Sequence, residues 1–187
     1  MVLLTSLCDI CISNTKCVLL SGKRIRCLDI GTGANAIYPL VGFSEYGWSF
    51  VGTDVDEQAL ESAQKIVTAN KMKINNCIEF RLQKEPTDIF LGIMRGGEKF
   101  ECSFCNPPFH RTKSEAVASS NRKWIGLNKK SQITNKVPTL NFGGQGTELV
   151  YEHGGEMGFL RKMIRQSAHN SVKTAVMWFT TLVSKER

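Results

Sequence analysis

Residues 24–30, Arg-Ile-Arg-Cys-Leu-Asp-Ile, make an apolar run that stops at Gly31-Thr32-Gly33-Ala34-Asn35. A strand, a tight glycine turn and a helix in immediate succession leave few folds open. They begin a doubly wound α/β sheet, which takes its ligand outside the carboxyl ends of the strands. Gly31 and Gly33 let the backbone approach that ligand and leave amides at the helix start. The third glycine of the dinucleotide fingerprint is missing, with Asn35 near its place, which argues against an NAD or FAD enzyme.

The pattern predicts a first helix over 36–46, broken by Gly47, and a second strand over 48–53 with Asp54 at its end. Gly33 and Asp54 stand 21 positions apart, the spacing at which an acid meets a ribose diol. Asp56 is the better cap for the next helix, 56–70, whose apolar face holds Leu60, Ala63, Ile66 and Val67. Asp54 is therefore left for the ligand. A third strand over 77–82 ends at Gln83, expected at the base end of the same pocket. Residues 88–94 are read as a short helix, 100–105 as a fourth strand, about 155–170 as a helix and 174–183 as a last strand. His153 and His169 are read as solvent or cap residues rather than ligands.

The fourth strand ends at Asn106-Pro107-Pro108-Phe109. Two prolines cannot donate to a ladder, and each fixes its own φ, so the chain leaves the sheet in a rigid turn. An amide, a fixed carbonyl and an aromatic ring within four residues can hold a planar ring that bears an amine. Asn106 Oδ1 and the Pro107 carbonyl would accept from the amine, and Phe109 would stack on the ring face.

Charge adds a partner. The net charge is +7. Arg111, Lys113, Arg122, Lys123, Lys129, Lys130 and Lys136 lie between His110 and Leu140 against one acid, Glu115, so this stretch holds most of the excess. A basic loop starting beside the Asn-Pro-Pro-Phe turn suggests a polyanion delivered there, with nucleic-acid contacts from those seven residues.

The 187 residues, 42% hydrophobic, suit one globular domain over 23–187 preceded by a segment, 1–22, with no clean period. No apolar run is long enough to span a membrane. Seven scattered cysteines point to reduced thiols in a cytoplasmic setting. Cys102 and Cys105 would face opposite sides of a strand and Cys8/Cys11 lacks a second pair, so no metal is expected.

Taken together, the blocks Asp29-Ile30-Gly31-Thr32-Gly33-Ala34-Asn35, Ile37-Tyr38-Pro39, Gly47-Trp48, Asn106-Pro107-Pro108-Phe109-His110, Gly126-Leu127-Asn128, Asn141-Phe142-Gly143-Gly144-Gln145 and Gly154-Gly155-Glu156 resemble the 23S rRNA adenine-N6-methyltransferases, the RlmF-like family. The match runs from about residue 23 to residue 184. The resemblance implies a Rossmann-like class I methyltransferase sheet and S-adenosyl-L-methionine as cofactor. Asp29, Gly31, Gly33, Asp54, Gln83 and Asn106 would line the cofactor, and Asn106, Pro107 and Phe109 the target amine. It also implies an adenine in RNA, 23S rRNA above all, as substrate; separately, a monomer is expected. The family has a longer N-terminal arm and a sheet that continues beyond residues 174–183, so this chain is expected to be truncated at both ends: a fragment, a truncated gene product or a reduced relative. Two other readings stay open on the residues alone: a non-catalytic RNA-binding module, and methylation of a protein glutamine.

Overall fold

The structure is a computed structural model that describes residues 21–70, 77–108, 151 and 153–183. Five parallel strands pair in the order β3-β2-β1-β4-β5. They are β1 (Arg26–Ile30), β2 (Ser49–Asp54), β3 (Ile78–Leu82), β4 (Phe100–Cys105) and β5 (Val176–Phe179). Parallel strands covered on both faces read as near-continuous apolar runs, and β1, β2 and β4 do so because each is buried along almost its whole length. The register sets Asp29 beside Gly52 on one side and Phe104 on the other, at the middle of the sheet.

Side chains alternate between two cores. Cys27, Phe50, Cys102 and Phe104 point to one face, which α1 (Ile37–Tyr46) and α2 (Glu57–Ala69) cover. Leu28, Val51 and Cys105 point to the other, where they meet Met163 of α3 (Gly155–Ser167) and Val172 of α4 (Asn170–Lys173). Cys102 and Cys105 therefore lie on opposite sides of the sheet, as a spacing of three on a strand demands. On the first face α1 comes close enough to β2 that a Cβ on Gly42 would collide with the Phe50 ring. That approach is the reason for a glycine inside the helix.

The boundaries match the sequence reading to within one or two residues for the first four strands and the first two helices. Asp56 caps α2, its Oδ1 accepting from the amides of Gln58 at 2.9 Å and Ala59 at 3.3 Å. Two expectations are corrected. Residues 88–94 form turns rather than a helix: the amides of Ile89 and Phe90 both donate to the Gln166 side chain, and Gly92 adopts a φ of 81°. The last strand is four residues long; beyond Phe179, the amides of Thr180 and Leu182 still donate to the Ser103 and Cys105 carbonyls, but no regular ladder continues.

Arg81, the fourth residue of β3, is held by Glu79, Glu98 and the Ile93 carbonyl. The Arg81 guanidinium holds the Glu98 carboxyl down at about 2. Among the described residues no helix is long and apolar enough to cross a membrane.

Candidate active site

The strand order reverses between β1 and β4, the switch point at which open α/β sheets leave a crevice. A cavity of about 690 Å³ opens there. Gly31, just past β1, Asp54, at the end of β2, Gln83, just past β3, and Asn106, just past β4, all line it. Four positions scattered over 75 residues of sequence thus share one space.

Asp54 is 6% exposed and ties two turns together. Its Oδ2 accepts from the Gly33 amide at 2.9 Å and its Oδ1 from the Asp56 amide at 3.0 Å. Burial pushes its carboxyl pKa up, and the amides of Asp56, Gly33 and Val55 counter part of that rise. Each carboxylate oxygen has a further lone pair, so the group can still accept from a pair of hydroxyls. Gly33 serves the site through this bond and is not itself on the cavity wall.

Asp29 stands behind the glycine turn, 1% exposed, and among the described residues neither carboxylate oxygen has a hydrogen-bond partner. Burial pushes it up to about 7; the Thr32 hydroxyl, close by but without good hydrogen-bond geometry, offsets a little of this, and the Asp54 charge adds to it. A buried carboxyl with no donor is costly to ionise unless a cation arrives. Asp29 does not line the cavity.

Asn106 is exposed at the cavity wall, Pro107 is buried beneath it, and Pro108 reaches the cavity again. Cys105, beside Asn106, also borders the cavity. Burial, with the nearby Asp29 charge, pushes its thiol up, so it stays protonated and offers no thiolate nucleophile. Gln83 lines the cavity while its side chain braces the loop beyond β3: Oε1 accepts from the Glu85 amide at 3.1 Å and Nε2 donates to the Leu91 carbonyl at 2.9 Å. Phe109 and the seven basic residues expected to contact RNA lie outside the described residues.

Two parts of the wall escaped the sequence reading. Asp88 and Ile89, in the segment that follows Gln83, border the cavity. At the other end stand Tyr151, His153 and Phe159, with the Tyr151 ring edge-on to Phe159 at 5.5 Å and to His153 at 5.6 Å. His153 is exposed, as a solvent residue would be, yet it sits at the cavity rim. The sequence signal for this rim was the aromatic pair around Gly154-Gly155. A Cβ on Gly158 would collide with the His153 carbonyl, so α3 packs directly against the turn that carries the rim. Among the described residues no cluster of metal-ligating side chains occurs. The walls offer a carboxylate for hydroxyls and an amide on a rigid turn, with an unpaired buried carboxyl behind the glycine turn. That set positions reactants and provides no covalent nucleophile.

Comparison with known proteins identifies the family and the fold. Residues 6–187 match the model of a family described as RNA methyltransferase. The chain is 46% identical over 179 residues to ribosomal RNA large subunit methyltransferase F of Pseudomonas savastanoi pv. phaseolicola, covering 96% of this chain and 53% of that protein. It is 48% identical over 165 residues to the protein of the same name from Cytophaga hutchinsonii, covering 88% and 49%. The chain thus spans about half the length of these relatives. Among solved structures, the hMettl16 catalytic domain in complex with MAT2A 3'UTR hairpin 1 superposes with a TM-score of 0.64 at 30% identity, over 87% of this chain and 51% of that one. The N-terminal domain of human METTL16 in complex with SAH shares the fold, with a TM-score of 0.60 at 22% identity over 97% and 54%.

Proposed function

This chain belongs to the RNA methyltransferase family, and on that footing we propose that it methylates the N6 amine of an adenine in RNA, with 23S rRNA as the target and S-adenosylmethionine as the donor. One observation carries the reading above the others: Asn106, Gly31 and Asp54 border a single cavity at the point where the strand order reverses.

The residues present suit that cofactor. Gly31 has open space around the position of a Cβ, as a backbone segment that a ligand covers must have. Asp54 has lone pairs for a ribose diol. Asp29 is a buried carboxyl lacking a donor, and the amino-acid portion of the cofactor carries an ammonium. When bound, S-adenosylmethionine supplies an electrophilic methyl group.

The chain's own residues do the rest. An adenine amine is a weak nucleophile because its lone pair is conjugated with the ring. Asn106 Oδ1 and the Pro107 carbonyl accept from its two protons and favour a pyramidal nitrogen. The rigid Pro-Pro turn fixes both acceptors before the base arrives, so the catalysis lies in orientation and in electrostatic fit to the transition state. No strong base is required, because the nitrogen proton becomes acidic once the methyl is in place. A target in a duplex must be extruded, which costs a few kcal/mol. Stacking on Phe109 returns about 1–3 kcal/mol. The basic residues from Arg111 to Lys136 supply phosphate attraction without sequence readout.

The test is mass spectrometry of nucleosides from RNA incubated with the protein and isotopically labelled cofactor. N6-methyladenosine carrying the label is expected. Asn106→Ala should abolish that product while calorimetry still shows cofactor binding, and full activity in this variant refutes the role given to Asn106. Methylation of a glutamine in an RNA-free protein substrate would replace the RNA reading. Cofactor failing to bind at millimolar concentration would leave only an RNA-binding module.

A further inference from the structure

We infer that Gln166 is a positioning residue for the purine end of the cofactor pocket, an inference that rests on the proposed methyl-transfer reading. Its place in the fold is unusual. Gln166 lies in the last turn of α3, 5% exposed, on the helix whose first turn adjoins the Tyr151–Phe159 rim. Its side chain crosses to the segment after β3 and makes three hydrogen bonds. Oε1 accepts from the amides of Ile89 and Phe90, both at 2.9 Å, and Nε2 donates to Asp88 Oδ1 at 2.7 Å.

The segment it grips has no regular structure of its own to fix its shape. Residues 84–99 contain only turns, and Asp88 and Ile89 form cavity wall. The sheet order tells which part of the ligand that wall meets. The target turn follows β4, the glycine turn β1, the diol acceptor Asp54 β2, and Gln83 with the Asp88 wall follows β3. A nucleoside whose ribose is at Asp54, and whose sulfonium lies toward Asn106, extends its purine past Gln83 against Asp88 and Ile89. Gln83 braces this segment from within, through Glu85 and Leu91, and Gln166 braces it from behind. The Gln166 amide cannot turn over, because Oε1 is claimed by two donors. Its Nε2 therefore faces Asp88 and holds that carboxylate by Oδ1. Lys162 Nζ, 3.6 Å from the same Oδ1, is the cation facing that pair.

Gln166→Leu keeps the volume, removes the three bonds and leaves two buried amides unpaired. In the full chain, titration with S-adenosylhomocysteine should show affinity reduced by roughly tenfold or more. RNA affinity and the turnover number at saturating cofactor should stay within about threefold of the parent, so that KM moves and kcat does not. Gln166→Glu keeps the acceptor for both amides but sets a carboxylate against Asp88 Oδ1. Its affinity relative to the parent, measured at temperatures where melts show the variant fully folded at every pH used, should recover as pH falls from about 8 to about 6 and the two carboxyls share a proton. Parent-like affinity in folded Gln166→Leu overturns the positioning role and leaves the methyltransferase reading intact. If Gln166→Leu does not fold, a pH-independent affinity ratio for Gln166→Glu overturns it instead. A parent chain that binds no cofactor overturns both.

Discussion

The Gly33 amide donates to Asp54 Oδ2 at 2.9 Å, which joins the glycine turn after β1 to the acid at the end of β2. The same carboxylate takes the Asp56 amide with its other oxygen, while Asp56 in turn caps α2. One side chain thus joins the loops that follow β1 and β2 before any ligand is present.

Asp54→Asn should therefore do more than weaken a ribose contact. The amide can accept from only one of the two N–H groups and presents its own NH2 to the other. A loss of about 1–3 kcal/mol in ligand-free stability is expected, together with reduced cofactor affinity. Urea denaturation and calorimetric titration of the same variant check both. Unchanged stability with lost affinity would mean the turns hold without this carboxylate.

Asp29 sets the pH behaviour. Its folded-state pKa of about 7 lies above the ordinary carboxyl value, so between the two the folded chain holds a proton that the unfolded chain has released. Its contribution to stability is thus present at low pH and declines as pH rises toward about 7, levelling off above that. Asp29→Asn should raise the melting temperature of the ligand-free protein more at about pH 8 than at about pH 5. Cofactor binding should run the other way in the parent, tightening as pH rises through about 7, because the ammonium favours the ionised carboxyl. Paired thermal melts and titrations across that range decide it, and flat profiles for both would remove Asp29 from the site.

Gly42→Ala tests packing far from the chemistry. The added methyl meets the Phe50 ring, itself 1% exposed and hemmed in by Phe104. Overpacking of this kind costs about 1–3 kcal/mol, which outweighs the gain in helix propensity. Chemical denaturation should show the loss, with the turnover number unchanged at temperatures where the variant is folded.

Lys129→Gln with Lys130→Gln addresses the basic stretch. If both lysines neutralise phosphates, the slope of log affinity for RNA against log salt should fall by roughly 1–2, with cofactor affinity untouched. An unaltered slope would move the phosphate contacts elsewhere in the chain.

What could be read from the sequence was local. The glycine turn, the cap at Asp56 and the acid at Asp54 follow from short-range patterns, and strands buried on both faces announce themselves as apolar runs. Asn106 was legible because two prolines must end a strand wherever it lies. The turns at residues 88–94 were not, since a glutamine some 77 positions later captures their amides. The rim at Tyr151, His153 and Phe159 was hidden for a similar reason: only the return of α3 along the sheet brings these residues to a cavity whose other walls end at Pro108. The apolar stretch 174–183 suggested a longer strand than β5 because hydrophobicity continues past the point where pairing becomes irregular.

The two-sided alternation of cysteines along the sheet has a practical consequence. Cys27, Cys77, Cys102 and Cys105 are all buried thiols, three of them on central strands and divided between both cores. An alkylating reagent reaches them when the strands part, so their modification is a clock for global opening. Anything that occupies the crevice and favours the closed sheet slows that clock by a factor of one plus the ratio of its concentration to its Kd. Occupancy can then be timed by mass, without following any product.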